Sequence, residues 1–383
     1  MKRLLPVILA LSVAVTWAGA GAAARGMTTG VRPPGAGNAS AIGAARPAGS
    51  WGRAIKVPGP GGLNKGGYAG VLSVSCGSAS SCAAGGDYTD RRRHGQGFVV
   101  SERHGRWGTA IEVPGLGALN KGGSASVSSV SCASAGNCAA GGYYTDGDGH
   151  QQGFVAVERH GRWGKAIEVP GLAALNKGGD ASVGSVSCAS AGNCAAGGYY
   201  TDGGGDGQGF VADERDGVWG KAIEVPGLAA LSNENAAVDS VSCASAGNCA
   251  AGGDDNPYGQ GFVVNEKNGV WGKAIDVPGL WALNKGRSGA AVGSVSCGSR
   301  GNCAAAGYYA DAGENLQGFV AVERHGRWGK AIEVPGLGAL NKGGDADVSS
   351  VSCAPAGTCA AGGDYQDHRG QGHFQGFVVS QTG

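Results

Sequence analysis

Short stretches of small and β-branched residues alternate with serine, glycine and charge along this chain, and four such stretches recur in a fixed order. In the second copy, Val127 to Ala133 (VSSVSCA) and Cys138 to Thr145 (CAAGGYYT) flank a Ser-Ala-Gly-Asn turn. Gly153 to Arg159 (GFVAVER) then alternates cleanly and leads through His160-Gly161 into Arg162 to Val169 (RWGKAIEV). Period-two patterning with turn residues at each break predicts four antiparallel strands. The last turn reads Asp216-Gly217 and Asn268-Gly269 in other copies, dipeptides suited to a type I′ hairpin. No useful stretch has a 3.6-residue apolar period, so almost no helix is expected.

The unit returns six times. Its cysteine pairs are Cys76/Cys82, Cys132/Cys138, Cys188/Cys194, Cys243/Cys249, Cys297/Cys303 and Cys353/Cys359, a period of 54 to 56 residues. The strand-leading tryptophans Trp51, Trp107, Trp163, Trp219, Trp271 and Trp328 keep step, as do the QGF triplets beginning at Gln96, Gln152, Gln208, Gln260, Gln317 and Gln375. Six four-stranded antiparallel units predict an all-β, six-bladed β-propeller. The phase is broken across the ends: the repeat begins on the Trp-led strand Trp51 to Val57 and stops after the QGF-led strand Gln375 to Ser380. That order predicts a last blade closed by the N-terminal strand. Phe154, Trp163, Ile167 and Val169 are expected to pack between blades.

Composition adds the setting. Lys2 and Arg3, an apolar run from Leu4 to Val15 and small residues to Ala24 read as a secretory signal over residues 1–24. Residues 25–50, rich in Gly, Ala and Pro, read as a flexible leader, and 51–383 as the propeller. The expected product is secreted, extracellular, monomeric and without membrane insertion. Twelve cysteines at one spacing in an exported chain predict one disulfide per blade, each across a tight hairpin. Zinc is the weaker reading, because the unit places neither a second pair nor histidine beside its cysteines. Thirty basic residues against 29 acidic ones give a formal net charge of +1, which supplies no pull toward nucleic acid.

Candidate chemistry falls on the end of the blades that carries the long loops, between the second and third strands and between successive blades. An aspartate is read after the second strand of each copy, at Asp90, Asp146, Asp202, Asp254, Asp311 and Asp367, with neighbouring tyrosines such as Tyr144, Tyr200 and Tyr309. The other long loop repeats Asn-Lys, as at Asn120-Lys121, and one copy carries Trp281 in place of a small residue. Carboxylate and amide groups beside aromatic plates suit sugar hydroxyls and C–H faces. The competing reading is that these residues cap turns and pack. An enzyme would need an asymmetric site, and Arg91 to Arg93, Glu234, Trp281, Arg287 and Glu314 are single-copy features. His94, His150, His368 and His373 fall in the same class of loop, where a metal site is an alternative to solvated histidines. The Asp146 loop lacks the closing glutamate of a calcium loop, and GLGALNKG lacks the second glycine and hydroxyl of a P-loop. No cofactor motif or nucleophile pattern stands out.

The VSC-x5-C-A-A-G segments with the downstream G-x-W strand resemble exported bacterial β-propeller repeat proteins and, distantly, the Asp-box or BNR hairpins of sialidase-type propellers. Ser101 to Trp107 is one residue short of the Asp-box pattern and lacks its aspartate. Sialidase resemblance would imply an arginine triad with a Tyr/Glu nucleophile pair, and no positions here match them. The expectation is therefore a non-catalytic binding propeller for glycans or other cell-surface components. A glycoside hydrolase or lyase with one site at the channel mouth, and an envelope protein-interaction scaffold, are the alternatives.

Overall fold

The computed structural model describes residues 53–381 apart from 233–234, 256–258, 287, 356 and 369–371. The expected signal and leader, together with Trp51, Glu234 and Arg287, lie outside the described residues. Six antiparallel sheets follow one another along the chain, each packed on the next, as the six blades of a β-propeller. In blade 2 the strands are Ala125–Ser134, Asn137–Thr145 and Gln151–Arg159, then a broken outer strand, Arg162–Trp163 and Ile167–Glu168.

All six expected disulfides form, and no cysteine is free. Cys76 is bonded to Cys82, Cys132 to Cys138, Cys188 to Cys194, Cys243 to Cys249, Cys297 to Cys303 and Cys353 to Cys359. Each bridge joins directly opposed residues of the first hairpin of its blade. Their surroundings are less uniform than the strict repeat suggests. Cys138, Cys194, Cys249 and Cys303 are buried, and Cys194 packs with Ala139 and Val186 in the layer between blades 2 and 3. Cys82 of blade 1 is only partly buried, as is Cys359 of blade 6. The two less covered bridges belong to the first and last blades, each of which has a neighbour on one side only.

The outer strand breaks for a reason. At Gly164 to Ala166 the chain leaves its own sheet, and the Ala166 amide donates 2.7 Å to the Pro114 carbonyl at the end of the preceding blade. The same link joins Ala222 to Pro170, Ala274 to Pro226 and Ala331 to Pro278. Backbone hydrogen bonds lost within one sheet are thus recovered between blades. Among the described residues the near-absence of helix is modified only by single turns in the long loops, such as Leu172–Leu175, entered through Gly171 at φ 77°, where a glycine avoids the left-handed penalty.

Blades interlock through small residues. A β-carbon added to Gly141 would lie 2.5 Å from Val183 Cγ1, and one on Gly153 would lie 2.8 Å from Leu172 Cδ2. Glycine there lets the next blade's valine and the loop leucine touch the backbone. Phe154, Val169 and Leu172 are fully buried in these layers, while Trp163 packs at their edge. Ile167 differs from expectation: it sits on the outer strand and is 44% exposed. Serines of the innermost strands add a ladder, with Ser73 and Ser75 Oγ accepting from the Val130 and Cys132 amides at 3.0 Å. The ladder repeats at the next four junctions.

The expected closure is not made in this structure. Blade 6 has three strands, Ala346–Cys353, Cys359–Gln366 and Phe374–Ser380, and residues 53–56 belong to no sheet. The stack of blades therefore ends in two uncovered faces.

Candidate functional site

The repeated loop residues are mostly spent on the scaffold. Asp146 Oδ1 accepts from the amides of Asp148 and His150, both at 2.9 Å, and Oδ2 accepts from Gln152 Nε2 at 3.3 Å. Asp90, Asp202 and Asp311 hold their own loops in the same way. Burial raises the Asp146 pKa, but the donors from His150, Gln152 and Asp148 outweigh it and hold the carboxyl below its ordinary value. This is the electrostatics of an Asx turn.

Tyr144, Tyr200 and Tyr309 are only 3% exposed and donate their hydroxyls to Glu168, Glu224 and Glu333. Their rings are covered by the preceding blade, so the expectation that they form plates for a ligand is overturned. Asn120 is buried as well, with Nδ2 donating to the Gly95 carbonyl and Gln96 Oε1 and Oδ1 accepting from the Thr145 amide. It staples blade 1 to blade 2. Lys121 remains exposed, its stem beside Gly147 of the next loop. Trp281 is 66% exposed, with Lys285 Nζ 4.2 Å from its ring centre.

Asp254 does not belong with the loop aspartates. It pairs with Ala237 inside the sheet, as Tyr143 pairs with Ser126, Tyr199 with Ser182 and Tyr308 with Ala291. A shorter following loop in blade 4 hides this register in the sequence. Asp367, by contrast, does follow its strand and is largely buried.

The innermost strands line the channel of a propeller, and there the copies diverge. Each carries a bulge at its midpoint, occupied by Leu72, Ser128, Gly184, Asp239, Gly293 and Ser349 in turn. Asp239 stands at the bulge of its innermost strand, exposed to water. Desolvation, then the Asp254 charge, drives its pKa well above the ordinary value. Asp254 itself is pushed up to about 6 by burial and by neighbouring Asp255. Tyr308 is raised by burial and then by the fields of Asp254, Asp347 and Asp239, so it stands among carboxylates of blades 4 and 6. Asp347 reaches about 6 through burial and the Asp364 charge across the same strand pair. Carboxyls with raised pKa values near a tyrosine hydroxyl accept hydrogen bonds when ionised and can donate them when protonated.

Sequence reasoning missed Asp239, Tyr308 and Asp347. The available signal was positional: Asp347 stands where the other copies have Gly70, Ser126, Ser182, Ala237 and Ala291. Among the single-copy features singled out from sequence, Arg91 to Arg93, Trp281 and Glu314 lie on loops outside this group. Of the loop histidines, His150 lies with Asp146 and Asp148 close enough to share an ion, although Asp148 and His150 are exposed and Asp146 is engaged in its turn. The opposite end of the blades, where the tight hairpin turns lie, is not featureless. A cleft of about 280 Å³ opens there between blades 4 and 5, lined by Asn248, Glu266, Lys267, Arg300 and His325. Among the described residues, no helix is long and apolar enough to cross a membrane.

No family model and no curated protein matches this chain. Among solved structures, a Hadza microbial sialidase is similar at 11% identity and TM-score 0.45, over 81% of this chain and 65% of that one. Trypanosoma rangeli sialidase is similar at 11% identity and TM-score 0.42, over 80% of this chain and 53% of its own length. The β-propeller domain of the trilobed protease from Pyrococcus furiosus is similar at 8% identity and TM-score 0.45, over 82% and 83%. The architecture of this chain rests on its own six sheets.

Proposed function

We propose that this protein is an exported binding propeller that takes a glycan at the channel wall of blades 4 to 6. The observation that carries the reading is the mutual influence of Asp239, Asp254, Tyr308 and Asp347, drawn from three different blades, with Asp239 and Asp347 at positions where no other copy has an aspartate. Mixed donors and acceptors beside a tyrosine ring suit sugar hydroxyls and C–H faces. The surrounding negative potential favours neutral or amino sugars and disfavours acidic ones. Sialic acid, which needs cationic partners, is the wrong guest for such a wall.

Calorimetry with neutral, amino and sialylated oligosaccharides tests this. The expected result is one site per chain, for neutral or amino sugars, with affinity falling about tenfold to a hundredfold in Asp239→Asn through loss of a hydrogen-bond partner. Preference for sialylated ligands, or several equal sites that survive Asp239→Asn, would overturn it. The second reading, a glycoside hydrolase, is favoured by the neighbouring Asp239 and Asp254 carboxyls with raised pKa values, one able to donate a proton while the other is ionised. It requires turnover of the bound sugar, abolished in both Asp239→Asn and Asp254→Asn.

A further inference from the structure

The two ends of the blade stack are complementary halves of a junction that the molecule builds five times elsewhere. At four of the five internal junctions a glycine on one blade receives a valine from the innermost strand of the next, and at the fifth Ala306 takes the glycine's place against Val348. A β-carbon on Gly85, Gly141, Gly197 or Gly252 would lie 2.5 to 2.6 Å from Val127, Val183, Val238 or Val292. Blade 6 keeps the socket in Gly362, but the same β-carbon there would meet nothing of another blade, only Phe377 O and Val378 of its own sheet. Gly376, in the place of Gly153, has a single atom within 4 Å, the Gly363 carbonyl oxygen at 3.9 Å. Blade 1 keeps the knob. Val71, in the place of Val127, is 43% exposed where Val127 is fully buried.

The strap that would cover the edge of blade 6 is already half seated. Pro58 accepts from the Ala110 amide at 2.7 Å, as Pro114 accepts from Ala166, and Val57 packs against the blade 1 core. Ahead of it, Ile55 and Lys56 hold the positions of Ile111 and Glu112, which pair with Val99 and Phe98 in blade 1. Their counterparts on blade 6 are Val378 and Phe377. Both members of the apolar pair stand open, Ile55 at 62% and Val378 at 89% exposure. Ser380 also occupies the place of Ser101, whose hydroxyl accepts from Trp163 Nε1 of the following blade, and Trp107 is the matching indole on blade 1.

We propose that this structure is the open member of a pair of states. In the closed one, residues 53–57 pair with Phe374–Ser380 as the fourth strand of blade 6, and Val71 enters the socket at Gly362. The occupant of each end is the other end of the same chain. A tethered end is present at millimolar effective concentration, far above that of a second molecule in dilute solution. Closure seals the lateral gap between blades 6 and 1, leaving the channel reachable only along its axis.

Hydrogen exchange by mass spectrometry on the full secreted chain tests this, with Val71→Asp as the probe. The exposed Val71 of the open state tolerates the carboxylate, whereas the closed state would bury it against Gly362. The expected result is protection of Phe374–Ser380 comparable to that of Gln151–Arg159, lost by about tenfold or more in Val71→Asp, while blades 2 to 5 are unchanged. Unprotected exchange of Phe374–Ser380 in the native chain, or indifference to Val71→Asp, overturns closure. Protection that appears only as protein concentration rises, with dimers or longer species by size exclusion, assigns the ends to a second copy and overturns closure within one chain.

Discussion

Two sets of aspartates in this molecule share a side chain and little else. Asp90, Asp146, Asp202 and Asp311 recur in register and spend their oxygens on backbone amides of their own loops, which holds their pKa values below the ordinary range. Asp239 and Asp347 stand on innermost strands and Asp254 on the strand beside that of Asp239, and burial pushes them the other way. Hydrogen bonding to the charged form wins in the first set and desolvation wins in the second. In a chain built by repetition, a shared residue serves the demand common to every blade, which is folding. Asp239 and Asp347, each the one aspartate at its position among the six copies, are free of that demand.

The largest effect should come from the shared layer. Phe154 is fully buried between blades 1 and 2, so Phe154→Ala should cost about 3 to 5 kcal/mol of stability in chemical denaturation. Ligand affinity measured well below the transition should be unaltered. A loss confined to affinity would break the division between scaffold and site.

The next contrast is in pH. Asp347 has a folded pKa of about 6 against an ordinary 3.8, so its contribution to stability is complete below the unfolded value and is lost as pH rises through 6. Asp146 is shifted downward, and its contribution is present above the ordinary value and lost as pH falls. Asp347→Asn should therefore raise the Tm at pH 8 and leave it nearly unchanged at pH 4. Asp146→Asn should lower the Tm at pH 8, and its deficit should shrink toward pH 3. Thermal scans across that range check both slopes, and slopes of the same sign would remove the distinction between the two sets.

The blade count, strand order and disulfides were legible because period and alternation are properties of spacing. What spacing could not show is that Cys194 is buried by a neighbouring blade while Cys82, at the same place in its own repeat, is not. The site was less legible still. Tyr143 and Tyr144 are adjacent and identical, yet strand alternation sends Tyr144 into the interface with blade 1 and leaves Tyr143 on the opposite face, the side of Ala139 and Gly141 that meets blade 3. Composition alone cannot assign that parity. Asp239 occupies a bulge, where an extra residue escapes the pairing that any alternation rule assumes. Asp254 was legible as a candidate but for the wrong position, because its blade has a shorter loop. Open ends were the reverse case: the sequence carries all the pieces of a sixth junction, while the structure holds them apart.

The smallest effect lies at a position that varies between internal junctions. Between blades 1 and 2, Ser101 donates its hydroxyl to buried Glu158 at 2.7 Å and accepts from Trp163 Nε1 at 3.0 Å, so donor and acceptor are matched. Between blades 3 and 4 the same place is taken by Asp213, which accepts from Trp271 Nε1 at 3.0 Å but sets a second carboxylate against buried Glu266. Arg215 reaches both, at 3.2 Å and 3.4 Å, from an exposed position that water screens. Burial and then the Asp213 charge push Glu266 up to about 7. A carboxyl raised in this way loses its favourable contribution as pH rises through that value. Asp213→Ser would restore the hydroxyl of the first junction, satisfy the indole and remove the repulsion. The variant should gain about 1 kcal/mol at pH 8 and much less at pH 5, where Glu266 already holds its proton. An equal gain at both pH values would mean that packing, not charge, separates the two junctions.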